Sequence, residues 1–353
     1  NPSGWYNDTC HWPLFIRSLS DGMEGMANAA IFMRERNQPQ TQWEAFAQAF
    51  GDWLVNNQNA DGSFYREYNP DGSVFVASAD CPAFGAGNNR LATTDPIRFL
   101  VTLYFATNDT RYLTAAENAG AFALQAIYNT GDYVGGTSSY DSATQAFEPI
   151  LDQEAGQQAV HAALALYDAT HQAQWLVAAR KAANFTETWM YVQNYPLHNA
   201  SPAIAYAGTR AYSLSTTGAS TAGAVLSYAS YDFYRLHLFG DDASNHYLKV
   251  AHLIQNNTKL TTQLGSNGRQ QFGYAAPGLL GEADDVAYLS YVRSPSAMHW
   301  LPWLSEAEVE PIQRMQDTFN ASTVRSAERE SPEQLQNENN HIYPAPGSIG
   351  WGH

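Results

Sequence analysis

Lysine is nearly missing from this 353-residue chain, occurring only as Lys181, Lys249 and Lys259, and the formal net charge is −16. Nucleic acid and anionic membrane surfaces both demand clustered cations, so neither is an expected partner. No stretch approaches the roughly 20 consecutive apolar residues of a membrane span. Cysteine is as scarce. Cys10 and Cys81 make an even pair, which in a secreted chain favours one disulfide. Neither has a partner at metal-ligand spacing and no His-x-x-x-His occurs, so no metal and no cofactor are expected. An initiator methionine is missing too: the chain opens Asn1-Pro2-Ser3, as a processed product would. Asn, Gln, Ser and Thr dominate the polar positions instead. Asn-x-Ser/Thr sequons stand at Asn7, Asn108, Asn184, Asn199, Asn256 and Asn320, which predicts an N-glycosylated protein secreted from a eukaryote.

A repeat is present. Tyr112-Leu113, Trp175-Leu176 and Tyr247-Leu248 are each followed by small or apolar residues at helical spacing: Ala115, Ala116 and Ala119; Ala178, Ala179 and Ala182; Val250, Ala251 and Ile254. Trp43 with Ala45, Phe46, Ala49 and Phe50 reads as a looser copy. The preceding segments end alike, in Leu103-Tyr104-Phe-Ala-Thr and Leu166-Tyr167-Asp-Ala-Thr, so whole helical hairpins repeat. They are expected to begin near Asp21, Asp95, Gln153, Ala219 and Glu282, with a period of roughly 60 to 70 residues. Connections inside a hairpin are short, whereas those between hairpins run Asn59 to Thr94, Thr130 to Asp152, Gln193 to Gly218 and Thr261 to Gly281. Loops that long are uncommon unless functional or disordered. Their aromatic content argues for function on the long-loop face.

These pieces, with Trp53-Leu-Val-Asn-Asn-Gln-Asn-Ala-Asp61-Gly-Ser-Phe64, resemble the six-hairpin toroid superfamily of (α/α)-barrel glycoside hydrolases and polysaccharide lyases. The resemblance implies an all-α toroid of hairpins, five of them recognisable, with long loops on one face. It implies an N-terminal segment 1–20, a hairpin domain 21–320 and an irregular tail 321–353, with an upstream segment or a second chain completing the ring.

Acidic residues sit where the first helix of each hairpin is expected to begin: Asp21 and Glu24, Asp95, Asp152 and Glu154, and Glu282, Asp284 and Asp285. Helix capping and the macrodipole explain such residues singly, and Asp95 before Pro96 is the clearest cap. Asp152 and Glu154 differ, because they follow the apolar run Phe147-Glu-Pro-Ile-Leu and precede the small pair Ala155-Gly156. Glycosidic cleavage needs two carboxyl groups roughly 5 to 10 Å apart, one protonated and one ionised. The expected catalytic set is Asp152 and Glu154, with Asp284, Asp285 or Asp21 supplying the partner. Aromatic rings with a polar edge suit sugar faces, and arginine suits a uronate carboxylate. Trp5, Trp12, Tyr65, Arg66, Tyr140, His198, Tyr206, Arg210, Tyr274, His299 and Trp300 are therefore expected to bind substrate; for Arg66, Arg90 and Arg210 the alternative is an ion pair with a nearby acid.

Three functions compete. The leading one is a secreted hydrolase of glycosidic bonds in a plant or microbial saccharide. The second is a lyase acting on a uronic-acid glycan through a Tyr or His base. The third is a non-catalytic helical scaffold that binds a glycan or a protein.

Overall fold

The computed structural model describes residues 14–75, 89–134, 138–141, 146–149, 151, 153–188, 213–214, 222–223, 229–240, 242, 244–264, 270–272, 311 and 314. These residues are predominantly helical, with eight α-helices among them. The chain divides into two compact units, Asn1–Ala183 and Asn184–His353. The first unit holds α1 (Ile16–Glu35), α2 (Thr41–Asn57), α3 (Ile97–Thr107), α4 (Thr110–Ala123), α5 (Gln153–Thr170) and most of α6 (Ala173–Glu187). The second holds the end of α6, α7 (Ala229–Leu238) and α8 (His246–Thr261).

A left-handed residue stands in or next to each short connection, Asn37 falling one position before the expected Gln38–Gln40 turn. Asn37, Asn108 and His171 have φ of 57°, 60° and 55°, and Asn108 and His171 donate their amides to Tyr104 and Tyr167. This satisfies a terminal carbonyl and folds the chain back, and Asn and His tolerate the conformation better than most side chains. Between α7 and α8 the same work falls to Gly240 and Asn245. The hairpin pairs α1/α2, α3/α4 and α7/α8 all pack tightly.

Neighbouring hairpins of the first unit lock together through glycine. At Gly51 of α2, an added Cβ would lie 2.2 Å from Leu103 Cδ1 and 2.9 Å from Tyr112 Cε1. At Gly120 of α4 it would lie 2.5 Å from Leu166 Cδ1 and 2.6 Å from Trp175 Cη2. The two seats are equivalent. Gly51 and Gly120 each stand eight positions after the aromatic opener of their helix (Trp43, Tyr112), and Leu103 and Leu166 each stand five before the left-handed residue. Tyr112, Trp175, Tyr247 and all nine small or apolar residues that follow them in the repeat are buried. The close approach that only glycine allows lets the next opener sit flat against the helix backbone.

Three expectations are corrected. α2 buries Ala47, Gly51 and Leu54, whereas Trp43, Ala45, Phe46 and Ala49 are exposed: Trp43 shares the side of Ala47 and Leu54 but stands in the first turn, and Ala45, Phe46 and Ala49 point away from that side. α1 begins at Ile16, so Asp21 lies inside the helix and a boundary at residue 20 would cut it: pairing of β1 (Leu14–Phe15) with β2 (Glu67–Tyr68) starts the helix early. α7 begins at Ala229 and not near Ala219. α3 begins at Ile97, two residues after Asp95, and the residues before Pro96 already form helical turns.

The long connections also carry regular structure. Strands β3 (Ser138–Asp141) and β4 (Ala146–Pro149) pair antiparallel before α5, as do β5 (Ser213–Leu214) with β6 (Ala222–Gly223) and β7 (Thr262–Leu264) with β8 (Gln270–Phe272). The first loop contains two copies of one turn, Asn59-Ala-Asp61-Gly-Ser63 and Asn69-Pro-Asp71-Gly-Ser73. In both, the Ser amide and hydroxyl donate to the Asp carboxylate and the Asn side chain donates to the Ser hydroxyl. Such side-chain-closed turns give a long loop a fixed course without a core of its own.

Candidate functional site

α3 packs against both α1 and α5, and long polar side chains bridge those two helices in register. Arg17 of α1 pairs with Glu154 of α5; one turn on, Gln158 donates to Asp21 at 3.4 Å. Another turn on, Arg98 of α3 spans from Glu24 to His161. The residue offset is 137 at all three rungs, as 17/154, 21/158 and 24/161, so α1 and α5 run parallel without a shift. The ladder follows from two polar stripes at helical spacing, 17, 21, 24 and 28 on α1 and 154, 157, 158 and 161 on α5. Asn28 completes the Glu24 contacts at 3.5 Å.

Arg17 and Arg98 occupy first turns, where the helix dipole disfavours a cation. Each is held there by a carboxylate from a neighbouring first helix. Arg98 Nη1 approaches His161 Nδ1 at 2.9 Å, and because guanidinium only donates, His161 accepts at Nδ1 and carries its proton on Nε2. Gln157 Nε2 lies 3.5 Å from His161 Nε2. Glu24, Gln157 and His161 are buried, Glu154 is half-buried and Asp21 is exposed. The order of burial leaves Asp21 and Glu154 reachable and the third rung as their support.

The first loop abuts the beginning of α1. Glu67 pairs in the β-ladder with Phe15, the Ile16 amide donates to the Arg66 carbonyl, and the Arg66 guanidinium stacks over the Phe15 ring. Arg66 also donates to Glu67 at 2.6 Å. Burial pushes the Glu67 carboxyl up to about 7 while Arg66 pulls the other way. Arg90 pairs with Asp61 at 2.5 Å, and the Ser63 hydroxyl, then the Ser63 amide and Arg90, hold Asp61 below the usual carboxylate range against its desolvation. Thus Arg66 and Arg90 take the ion-pair option. Tyr65, half-buried, donates its amide to the Tyr68 hydroxyl and lies beside Arg90.

Of the expected catalytic residues, Asp21 and Glu154 stand on adjacent rungs of this ladder, while Asp152, Asp284 and Asp285 lie outside the described residues. So do Trp5, Trp12, His198, Tyr206, Arg210, Tyr274, His299, Trp300, Cys10, Cys81, Asn7, Asn199 and Asn320. Tyr140 pairs with Phe147 through the backbone of β3 and β4, and Asn256 lies in α8; their side chains are outside the description. Asn108 and Asn184 are exposed. Arg17, Arg98, Gln157, His161 and Glu67 were missed. Arginine in a first helical turn and polar stripes on faces that should be apolar were the signals available.

In the second unit, Asp242 caps α8. Burial opposes its ionisation, but His237 and the amides of His246, Leu248 and Tyr247 outweigh it and hold the carboxyl low. His246 Nε2 lies 2.7 Å from Glu187, which raises the imidazole above its ordinary value. Among the described residues no group of three or more His, Cys, Asp or Glu side chains is placed to hold a metal ion, and no helix is long and apolar enough to cross a membrane. No protein-family model matches the chain, and comparison with curated proteins finds no match.

Proposed function

We propose that the first helices form the inner ring of an (α/α) toroid and that the chain is a secreted, N-glycosylated glycoside hydrolase acting on a neutral oligo- or polysaccharide. The observation that carries the reading is the pair of adjacent rungs bearing Glu154 and Asp21. Four residues along a helix rise about 6 Å. Glycosidases hold their two carboxyl groups roughly 5 to 10 Å apart, and this rise is one component of the separation, since the two acids stand on different helices. One carboxyl protonates the departing glycosidic oxygen; the other, ionised, attacks the anomeric carbon or takes a proton from water. Arg17 fixes Glu154, and the Glu24–Arg98–His161 rung holds α1, α3 and α5 at the spacing the pair requires. Asp152, two residues before Glu154, remains a candidate for the same role.

A neutral substrate is favoured by four arginines among the described residues. Arg17, Arg66, Arg90 and Arg98 are each paired with a carboxylate, so a uronate would have to displace an acid already in place. A panel of neutral and uronic-acid glycans with products read by mass tests the assignment: hydrolysis adds water, whereas elimination gives an unsaturated, ultraviolet-absorbing product. Asp21→Asn and Glu154→Gln should each keep the helical circular dichroism and lower the rate at least about a hundredfold. Near-native rates in both would remove the pair from the chemistry.

A further inference from the structure

Arg98 is the one charged residue of α3, and both α1 and α5 pack on that helix. Its Nε donates to Glu24 of α1, and its Nη1 lies 2.9 Å from Nδ1 of His161 on α5. The two contacts differ in kind. A carboxylate accepts from arginine throughout the neutral range, whereas an imidazole nitrogen accepts only while its lone pair is bare. A proton on His161 Nδ1 would occupy the site into which Arg98 donates, and would set imidazolium against guanidinium at hydrogen-bond distance. The Arg98–His161 contact and protonated His161 therefore exclude each other.

The surroundings sharpen this exclusion. His161 is only 7 % exposed, so water has little room to solvate a charged ring in place. α1 brings Glu24, already tied to Arg98, and Asp21 on the neighbouring rung; α5 itself brings Glu154, two turns earlier and held by Arg17. The turn after α4 brings Tyr128, whose hydroxyl donates to the Ala159 carbonyl, and Glu117 of α4 turns away to Gln172. α6 brings the half-buried Arg180, a second cation, while Lys181 turns to Asn129.

We propose that the Arg98–His161 contact is a clasp worked by protons: neutral His161 closes it, and a proton taken from mildly acidic solvent opens it. Closed, it completes the third rung and fixes α5 to α1 by way of α3. Opened, it leaves Arg98 on Glu24 alone. Asp21 and Glu154 lie one and two turns along the same two helices, so their separation follows the state of the clasp. The consequence for activity rests on the hydrolase reading; the clasp itself does not. The unfolded chain takes the proton near the ordinary imidazole value of about 6.5, whereas the closed fold resists it. Stability from the clasp is thus complete above that value and is lost as pH falls.

Side-chain nitrogen NMR of the full chain tests this between about pH 5 and 8. His161→Asn identifies His161 among the ten histidines and places near Nδ1 a carbonyl oxygen that accepts from Arg98 but takes no proton. Neutral wild-type His161 should carry its proton on Nε2, with Nδ1 bare. As it becomes imidazolium, the Arg98 Nε–H should exchange with water at least about tenfold faster. In His161→Asn that exchange should stay slow throughout, and hydrolysis of any glycan found in the panel should lose its acid-side fall. Glu67 titrates in the same window but is common to both proteins. Should His161→Asn not fold, His161→Gln supplies the assignment and the wild-type readings decide. A proton on Nδ1 at neutral pH, a ring still neutral at pH 5, or Arg98 exchange indifferent to the His161 charge overturns the proposal. A clasp that opens in a chain hydrolysing no glycan upholds the clasp and removes the hydrolase reading.

Discussion

The hairpins of the first unit meet along two seams made of opposite materials. Between the second helices the seam is apolar: Tyr112 and Trp175 press on Gly51 and Gly120, and fit is everything. Between the first helices it is a ladder of arginines, carboxylates, glutamines and a histidine, whose worth depends on every partner being present. Apolar packing is non-directional and summed over area, so it stabilises whatever the neighbours are. A buried charged network adds little net stability over an apolar one, yet losing one member leaves another unpaired. The apolar seam therefore holds the array, and the polar seam fixes where chemical groups stand.

The sharpest test sets equivalent openers against each other. Trp175→Ala should cost about 3–5 kcal/mol, because a fully buried ring leaves a cavity over Gly120. Trp43→Ala should cost less, about 1–2 kcal/mol, because that ring is 39 % exposed. Urea denaturation of both variants reads the difference, and equal losses would erase the distinction between the filled seats and the open one.

On the polar seam, Arg98→Met should cost about 3 kcal/mol by leaving Glu24 buried without its main cation. Adding Glu24→Gln should recover part of that loss. A double variant as weak as the sum of the single changes would show that the rung is not a coupled unit.

Glu67 sharpens the contrast by pH. Its carboxyl is raised in the fold from the ordinary 4.5 to about 7, so the folded state binds the proton more tightly than the unfolded chain does. Stability should fall as pH rises through that window, by about 2 kcal/mol between roughly pH 5 and 7, since each tenfold difference in proton affinity between the two states is worth about 1.4 kcal/mol. Glu67→Gln should flatten this slope, as chemical denaturation at several pH values will show.

The smallest effect belongs to the second unit. Glu187 raises His246, so their pair stabilises the fold below the ordinary imidazole value and is lost as pH rises through the raised one. Both side chains are partly exposed, so Glu187→Gln should cost only a few tenths of a kcal/mol near pH 6. An NMR titration of His246 should show the imidazole returning toward its ordinary value in that variant.

Much of the apolar seam was legible because a repeated helical pattern declares its own buried face. Tyr112, Trp175 and Tyr247 and the residues spaced after them were readable as core, and the left-handed Asn108 and His171 fall in the expected short turns. Trp43 misled for the same reason: it carries the opener's identity, but no glycine among the described residues seats it. The ladder was half legible. Asp21, Glu24 and Glu154 stood out as acids near helix starts, but Arg17, Arg98 and His161 gain meaning only from partners 63 to 137 residues away.

The sequence by itself determined helices, turns and which stripe of α4, α6 and α8 is buried, since these depend on spacing within a few residues along one chain segment. Tertiary structure alone decided that α1 and α5 run in register at an offset of 137 residues, that two arginines in unfavourable first turns are neutralised from other helices, and that one aromatic opener of the repeat is left exposed. Pairing across a seam is set by how glycine seats and leucine ridges fit in three dimensions, and a contact between distant segments leaves no period in the chain.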